Sequence, residues 1–169
     1  GARAICKSLS ISAEQFDNAI EGFTGAARRL EVAIERPQQK FTVFRDFAHA
    51  PSKLKATQSG VVGSFPERKV TAVFELHTFS SLNKAFLPQY LSSMDSVDKA
   101  IVFYDPKVVE HKRLPAISIQ DVKDAFGRED LEVITSVNSL EKRINAIPKE
   151  NHCVLMMSSG RFGGAEIPQ

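Results

Sequence analysis

An α/β fold, a mostly parallel sheet with helices on both faces, is predicted for this 169-residue chain by three observations. Short runs rich in β-branched and aromatic residues alternate with helical spacings. Most of those runs are apolar on both faces, as strands covered from two sides must be. Cap and turn residues stand where one pattern gives way to the next.

The first residues show no pattern of their own until Ser12, an N-cap that Gln15 completes as a capping box. Ile11 and Phe16 stand in staple positions around it, and Phe16, Ala19, Ile20 and Phe23 share one helical face. Gly22 and Gly25 end that helix. It has no strand before it and reads as an attachment, so residues 1–24 are taken as a linker or the tail of an upstream domain. Residues 30–34 and 41–44 form a small hairpin around Pro37, an antiparallel edge to the sheet. Residues 46–52 make a turn, and a helix runs on to Phe65 with Leu54, Val61, Val62 and Phe65 near one face. Gly60 and Gly63 weaken it by about 1 kcal/mol each.

Residues 70–76 are a continuous apolar strand. Leu82, Phe86, Leu87, Tyr90, Leu91 and Met94 are spaced as a helix that Pro88 starts or breaks. Residues 100–104 make the next strand, followed by a loop over 105–115. Ser118 caps a helix carrying Val122, Ala125 and Phe126, with Ile117 and Val122 as its staple and Gly127 as its stop. Residues 131–134 are a strand, and Leu140, Ile144 and Ile147 mark a helix that Pro148 terminates. Residues 153–157 are the last strand, and a glycine-rich segment, 158–164, leaves it.

Composition narrows the class of function. With 43% hydrophobic residues and 12 Phe, the chain is not a disordered segment. Its 22 basic and 20 acidic residues are spread along the chain, which gives no nucleic-acid face. No run approaches the roughly 18 apolar residues of a membrane helix, and no signal peptide opens the chain. The two cysteines, Cys6 and Cys153, suit a reducing compartment. A soluble cytoplasmic domain, with no nucleic-acid or membrane partner, is expected.

In parallel sheets ligands bind beyond the carboxyl ends of the strands, so chemistry is sought in the loops that follow them. Asp46 and His49 bring a carboxylate and an imidazole to one turn; on their own they read as a turn cap and a surface histidine before they read as a site. His77 and Ser80 leave the next strand on the same edge. His49 and His77 have neither ligand spacing nor a third donor, so no metal site is expected. Ser158, Ser159, Arg161 and Phe162 lie in the glycine-rich segment, whose N–H groups, hydroxyls and guanidinium suit a carboxylate or phosphate. Arg29 precedes the first strand. No G-x-x-x-x-G-K-[ST] phosphate loop and no G-x-S-x-G elbow occurs.

Taken together, Gly25-Ala26-Ala27-Arg28-Arg29-Leu30-Glu31 and Asp46-Phe47-Ala48-His49-Ala50-Pro51 resemble two marks of the Mur ligase C-terminal domain. These are a G-[R/K]-R-x-E-like segment and a D-[Y/F]-A-H-x-P turn, and the hairpin between them fits the spacing. Residues 74–81, 125–128 and 157–164 are most similar to the branch that joins UDP-N-acetylmuramate to L-alanyl-γ-D-glutamyl-meso-diaminopimelate, the murein tripeptide-recycling ligases. One stretch departs from it: Leu76-His77-Thr78 stands where that branch carries Pro-Arg-Ser.

The resemblance implies a Rossmann-like domain, residues 25–169, of an ATP-dependent, Mg²⁺-requiring amide ligase working through an acyl phosphate. The phosphate loop and most metal ligands would then lie in the central domain of the same polypeptide, beside an N-terminal sugar-nucleotide domain. It further implies that Arg29 and Asp46 contact the nucleotide and that Asp46 and His49 serve the chemistry. His49 would sit near the γ-phosphate and the attacking amine. His77, Ser80, Ser158, Ser159, Arg161 and Phe162 would face the incoming peptide. The departure at His77 leaves L-alanine as an alternative amine, and a non-catalytic module for a nucleotide or acidic ligand is the alternative of a different class.

Overall fold

The structure, a computed structural model, describes residues 2–22 and 29–166. Two short helices, α1 (Ala2–Ser8) and α2 (Ala13–Glu21), precede β1 (Glu31–Arg36) and β2 (Phe41–Asp46). Then come α3 (Pro51–Ser64), β3 (Lys69–Glu75), β4 (Lys99–Phe103), α4 (Pro106–His111), α5 (Ile119–Phe126), β5 (Glu132–Ile134), α6 (Val137–Asn145) and β6 (His152–Met157). The strands join into one sheet in the order β1-β2-β6-β3-β4-β5. Only β1 and β2 are antiparallel, the hairpin expected at the edge; the other neighbours run parallel.

Because successive side chains of a strand point to opposite faces, the apolar strands feed two cores. On one face Phe44, Ala72, Phe74, Val102 and Leu155 pack under α3, α5 and the 82–97 segment. On the other, Val43, Val73, Ile101, Val154 and Met156 pack against Leu140 and Ile144 of α6. Tyr90 stacks on Phe126 with centroids 5.1 Å apart, joining the long loop to α5.

The caps form as expected. Ser12 accepts the Gln15 N–H while the Gln15 side chain accepts the Ser12 N–H, and Gly22 ends α2. Ser118 makes the same box with Asp121, and Gly127 closes α5 at φ 65°. Phe23 and Gly25, with the segment 26–28 of the ligase-like motif, lie outside the described residues.

Three expectations are corrected. Residues before Ser12 are not irregular: they form α1, tied to α2 by Arg3, which pairs with Asp17 and lies over the Phe16 ring. Residues 82–94 bury Leu82, Leu87, Tyr90 and Met94 but leave Leu91 exposed, and they form turns and one 3₁₀ stretch, Leu87–Tyr90, rather than an α-helix. Pro88 supplies no N–H to a helical ladder there, and tertiary burial takes the apolar spacing instead. The loop over 105–115 contains α4, which Asp105 caps by accepting the Lys107 N–H at 2.9 Å. Among the described residues, no helix is long and apolar enough to cross a membrane.

Candidate functional site

β2, β6 and β3 lie side by side and parallel, with Asp46 and Phe74 both in register with Met157. Their carboxyl ends therefore put the turn after Asp46, the segment from Ser158 and the stretch from Glu75 to His77 on one edge. Two adjoining cavities open there. One, of about 550 Å³, is lined by Arg45, Asp46, Ser158, Gly160, Arg161 and Phe162 among others. The other, of about 390 Å³, is lined by His77, Ser159 and Arg161 with three glycines.

Asp46 is fully engaged. Its Oδ1 accepts the Ala48 N–H at 2.7 Å and the Thr57 hydroxyl at 3.3 Å, and its Oδ2 accepts the Leu30 N–H at 2.8 Å. The carboxylate thus shapes the 46–50 turn and pins the chain beside Arg29. His49 donates from Nδ1 to the Phe47 carbonyl at 2.9 Å, an oxygen that can only accept. In the neutral ring that contact selects the Nδ1–H tautomer. The buried Tyr90 hydroxyl donates to the His49 carbonyl at 2.7 Å and holds the turn from below; burial raises the Tyr90 phenol well above its ordinary value.

Glu75 organises the other half of the edge. It is 4% exposed at the end of an apolar strand. Its Oε2 accepts the Ser158 hydroxyl and, at 2.8 Å, the Phe162 N–H. Ser158 in turn accepts the Gly160 N–H at 2.7 Å. Its Oε1 faces His77 Nδ1 at 3.5 Å. The segment then turns sharply through Phe162, Gly163 and Gly164, all at positive φ. Gly163 is required there, since a Cβ would meet Val137 at 2.7 Å.

The nine residues singled out from sequence separate into groups. Asp46, Ser158, Arg161 and Phe162 meet around the larger cavity, and His77, Ser159 and Arg161 around the smaller. The Ser159 hydroxyl oxygen is buried without a partner. Phe162 sends its ring into the α6-side core. His49 and Ser80 line neither cavity; Ser80 shares a hydrogen bond with the Thr78 hydroxyl at 3.1 Å. Arg29 and Arg161 are exposed cations with no ion pair among the described residues. Glu75 and Arg45 were missed by sequence reasoning. A carboxylate closing an otherwise apolar strand is the signal that marks Glu75; Arg45 carries none.

No group of three or more His, Cys, Asp or Glu side chains able to hold a metal ion exists among the described residues. The described residues thus supply no all-protein cage for Mg²⁺.

The sequence matches the family profile of the Mur ligase, glutamate ligase domain over residues 28–160. Solved structures agree in fold. The UDP-N-acetylmuramate–alanine ligase of Thermotoga maritima superposes with a TM-score of 0.73 at 20% identity, over 96% of this chain and 34% of its own. A murein peptide ligase from Psychrobacter arcticus gives 0.67 at 22%, over 96% and 34%. The MurF ligase of Thermotoga maritima, solved with ADP, gives 0.62 at 15%, over 95% and 33%. This chain spans about a third of the length of these three ligases. A profile match across most of the chain, on a sheet of the same topology class, carries the assignment: the protein belongs to the Mur ligase family, of which it holds the glutamate ligase domain.

Proposed function

We propose that this chain is the C-terminal domain of an ATP-dependent ligase that joins UDP-N-acetylmuramate to a murein peptide, L-alanyl-γ-D-glutamyl-meso-diaminopimelate, in peptidoglycan recycling. The reading rests on family membership joined to one observation: exposed cations, an unpartnered hydroxyl and two histidines converge on the carboxyl edge of the sheet, where such folds take ligands. ATP supplies the activation of the muramate carboxyl group as an acyl phosphate, and Mg²⁺ rides on ligands outside the described residues.

The chain's own residues then bind and orient. Arg29, held beside Asp46, meets nucleotide phosphate, and His49 offers its ring at the same turn. Arg161 and the Ser159 hydroxyl take carboxylates of the incoming peptide, with Ser158 and Phe162 setting the loop and Ser80 at its flank. Closure of this domain on a central one excludes water and completes the site. The helices α1 and α2 bury no residue of their own and leave Ile5, Leu9, Ile11 and Ile20 exposed, which supports their belonging to the tail of that preceding domain. Such an enzyme works in the cytoplasm, where the free thiols of Cys6 and Cys153 stay reduced.

A second amine, L-alanine, is the alternative that Leu76-His77-Thr78 leaves open, since that stretch departs from the resemblance to the peptide ligases. Phosphate release by the full-length parent given ATP, UDP-N-acetylmuramate and tripeptide tests the reading. Release with tripeptide is expected. Release with L-alanine alone overturns the peptide assignment, and release with neither overturns the ligase.

A further inference from the structure

The two histidines on the site edge are backed differently. His49 Nδ1 donates to a neutral carbonyl, Phe47 O, at 2.9 Å. His77 Nδ1 lies 3.5 Å from Oε1 of a buried carboxylate, Glu75. An imidazole that gains a proton becomes a cation, and a carboxylate behind it stabilises that cation far better than a carbonyl dipole does.

Glu75 has little freedom to do anything else. Its Oε2 already accepts the Ser158 hydroxyl and the Phe162 N–H, so only Oε1 is left, and His77 Nδ1 lies in front of it. Gly160 lies flat over the pair: a Cβ there would come within 2.7 Å of both Glu75 Oε2 and His77 Cγ. The carboxylate and imidazole are thus clamped face to face. His77 then lines the cavity shared with Ser159 and Arg161, and Nε2, on the far side of the ring, is its free nitrogen.

We infer that Glu75 is a positioning residue that keeps the His77 proton on Nδ1, so that His77 Nε2 takes the proton of the incoming amine. This rests on the ligase reading above. An amine arriving as an ammonium has no lone pair to attack with. Transfer of one N–H proton to His77 Nε2 frees that pair and leaves an imidazolium facing the Glu75 carboxylate. The nitrogen then forms a bond to the activated carboxyl carbon. The bond from that carbon to the phosphate oxygen breaks, and phosphate departs with the electron pair. The second ammonium proton passes to solvent.

Glu75→Gln separates this role from scaffolding. The Phe162 N–H can only donate, so the carbonyl oxygen of the new amide must take the Oε2 position. Its NH₂ then faces His77 Nδ1 as a donor and forces the proton onto Nε2, while the loop keeps its anchors.

The first readout is on the 169-residue chain itself. Long-range ¹H–¹⁵N spectra at about pH 8.5, where imidazoles are neutral, report each histidine tautomer, with His77→Gln assigning the signal. His77 should carry its proton on Nδ1 in the wild type and on Nε2 in Glu75→Gln, with Ser158 and Phe162 backbone shifts retained. In the full-length ligase, both variants should lower kcat for amide formation at saturating amine by roughly 10²–10⁴-fold. Activation of the acid, trapped with hydroxylamine in the absence of the amine, should stay within about twofold, since it precedes the proton transfer. A wild-type Nε2–H tautomer, an unchanged tautomer in Glu75→Gln, or an unchanged kcat in either variant overturns the inference. A wild-type enzyme that activates no acid overturns the ligase reading instead.

Discussion

Gly160 sits where the backbone passes over the Glu75–His77 pair, and its lack of a side chain is what lets the two half-sites share one edge. Gly160→Ala places a methyl group 2.7 Å from a buried carboxylate oxygen and an imidazole carbon. The carboxylate cannot retreat, because Glu75 is held by the Ser158 hydroxyl and the Phe162 N–H. We expect a loss of about 1–3 kcal/mol in urea unfolding, the usual range for overpacking. The same variant should displace Arg161, the next residue, from the cavities it lines. Asp46 illustrates a second point at this scale. Its local sequence reads first as a turn cap and the family resemblance adds a site role, and its three hydrogen bonds show how the cap also holds the chain beside Arg29.

Among the elements, α3 is the one whose sequence works against it. Gly60 and Gly63 lie inside the helix, at ordinary helical backbone, and a Cβ at either would meet nothing within 4 Å. Gly60→Ala and Gly63→Ala should each stabilise the domain by about 0.4–1 kcal/mol, read as a raised urea midpoint with unchanged slope. The long 82–98 connection depends instead on one side chain outside it. Arg128 donates to the carbonyls of Met94, Val97 at 2.9 Å and Asp98 at 3.0 Å, and its Nε donates to Asp130 at 2.6 Å. Arg128→Ala leaves those acceptors to find water and should cost about 3 kcal/mol. The Arg128 hydrogen bond is also the largest cause holding the Asp130 carboxyl down at about 2. In the variant, ¹³C-detected titration should show Asp130 rising toward the usual carboxylate range.

At the scale of the whole molecule, the two edges of the sheet do different work. The carboxyl edge holds the candidate site; the opposite one buries His152, 7% exposed, whose Nε2 shares a hydrogen bond of 2.8 Å with the Thr71 hydroxyl. Burial pushes its pKa down, with nearby Asp98 opposing and Lys69 assisting. Below the ordinary histidine value the unfolded chain therefore binds a proton that the folded one refuses. Stability should be full above about pH 6.5 and fall as the pH drops below it. Urea titrations on either side of that pH should show the drop in the wild type and a flatter dependence in His152→Gln.

The sequence alone determined the parallel sheet, the hairpin edge, the helices capped by Ser12 and Ser118 and the loops that carry the candidate site. Those rest on local periodicity and on side chains that bond within a few residues, as Ser12 with Gln15 and Ser118 with Asp121 do. It did not determine the 82–94 stretch, where burial rather than backbone periodicity sets the apolar spacing. Nor did it show what Glu75 faces. Its partners, Ser158 and Phe162, are 83 and 87 residues away, and only the insertion of β6 between β2 and β3 brings them together. That strand order is a long-range packing outcome, and no pattern within a short window of sequence records it.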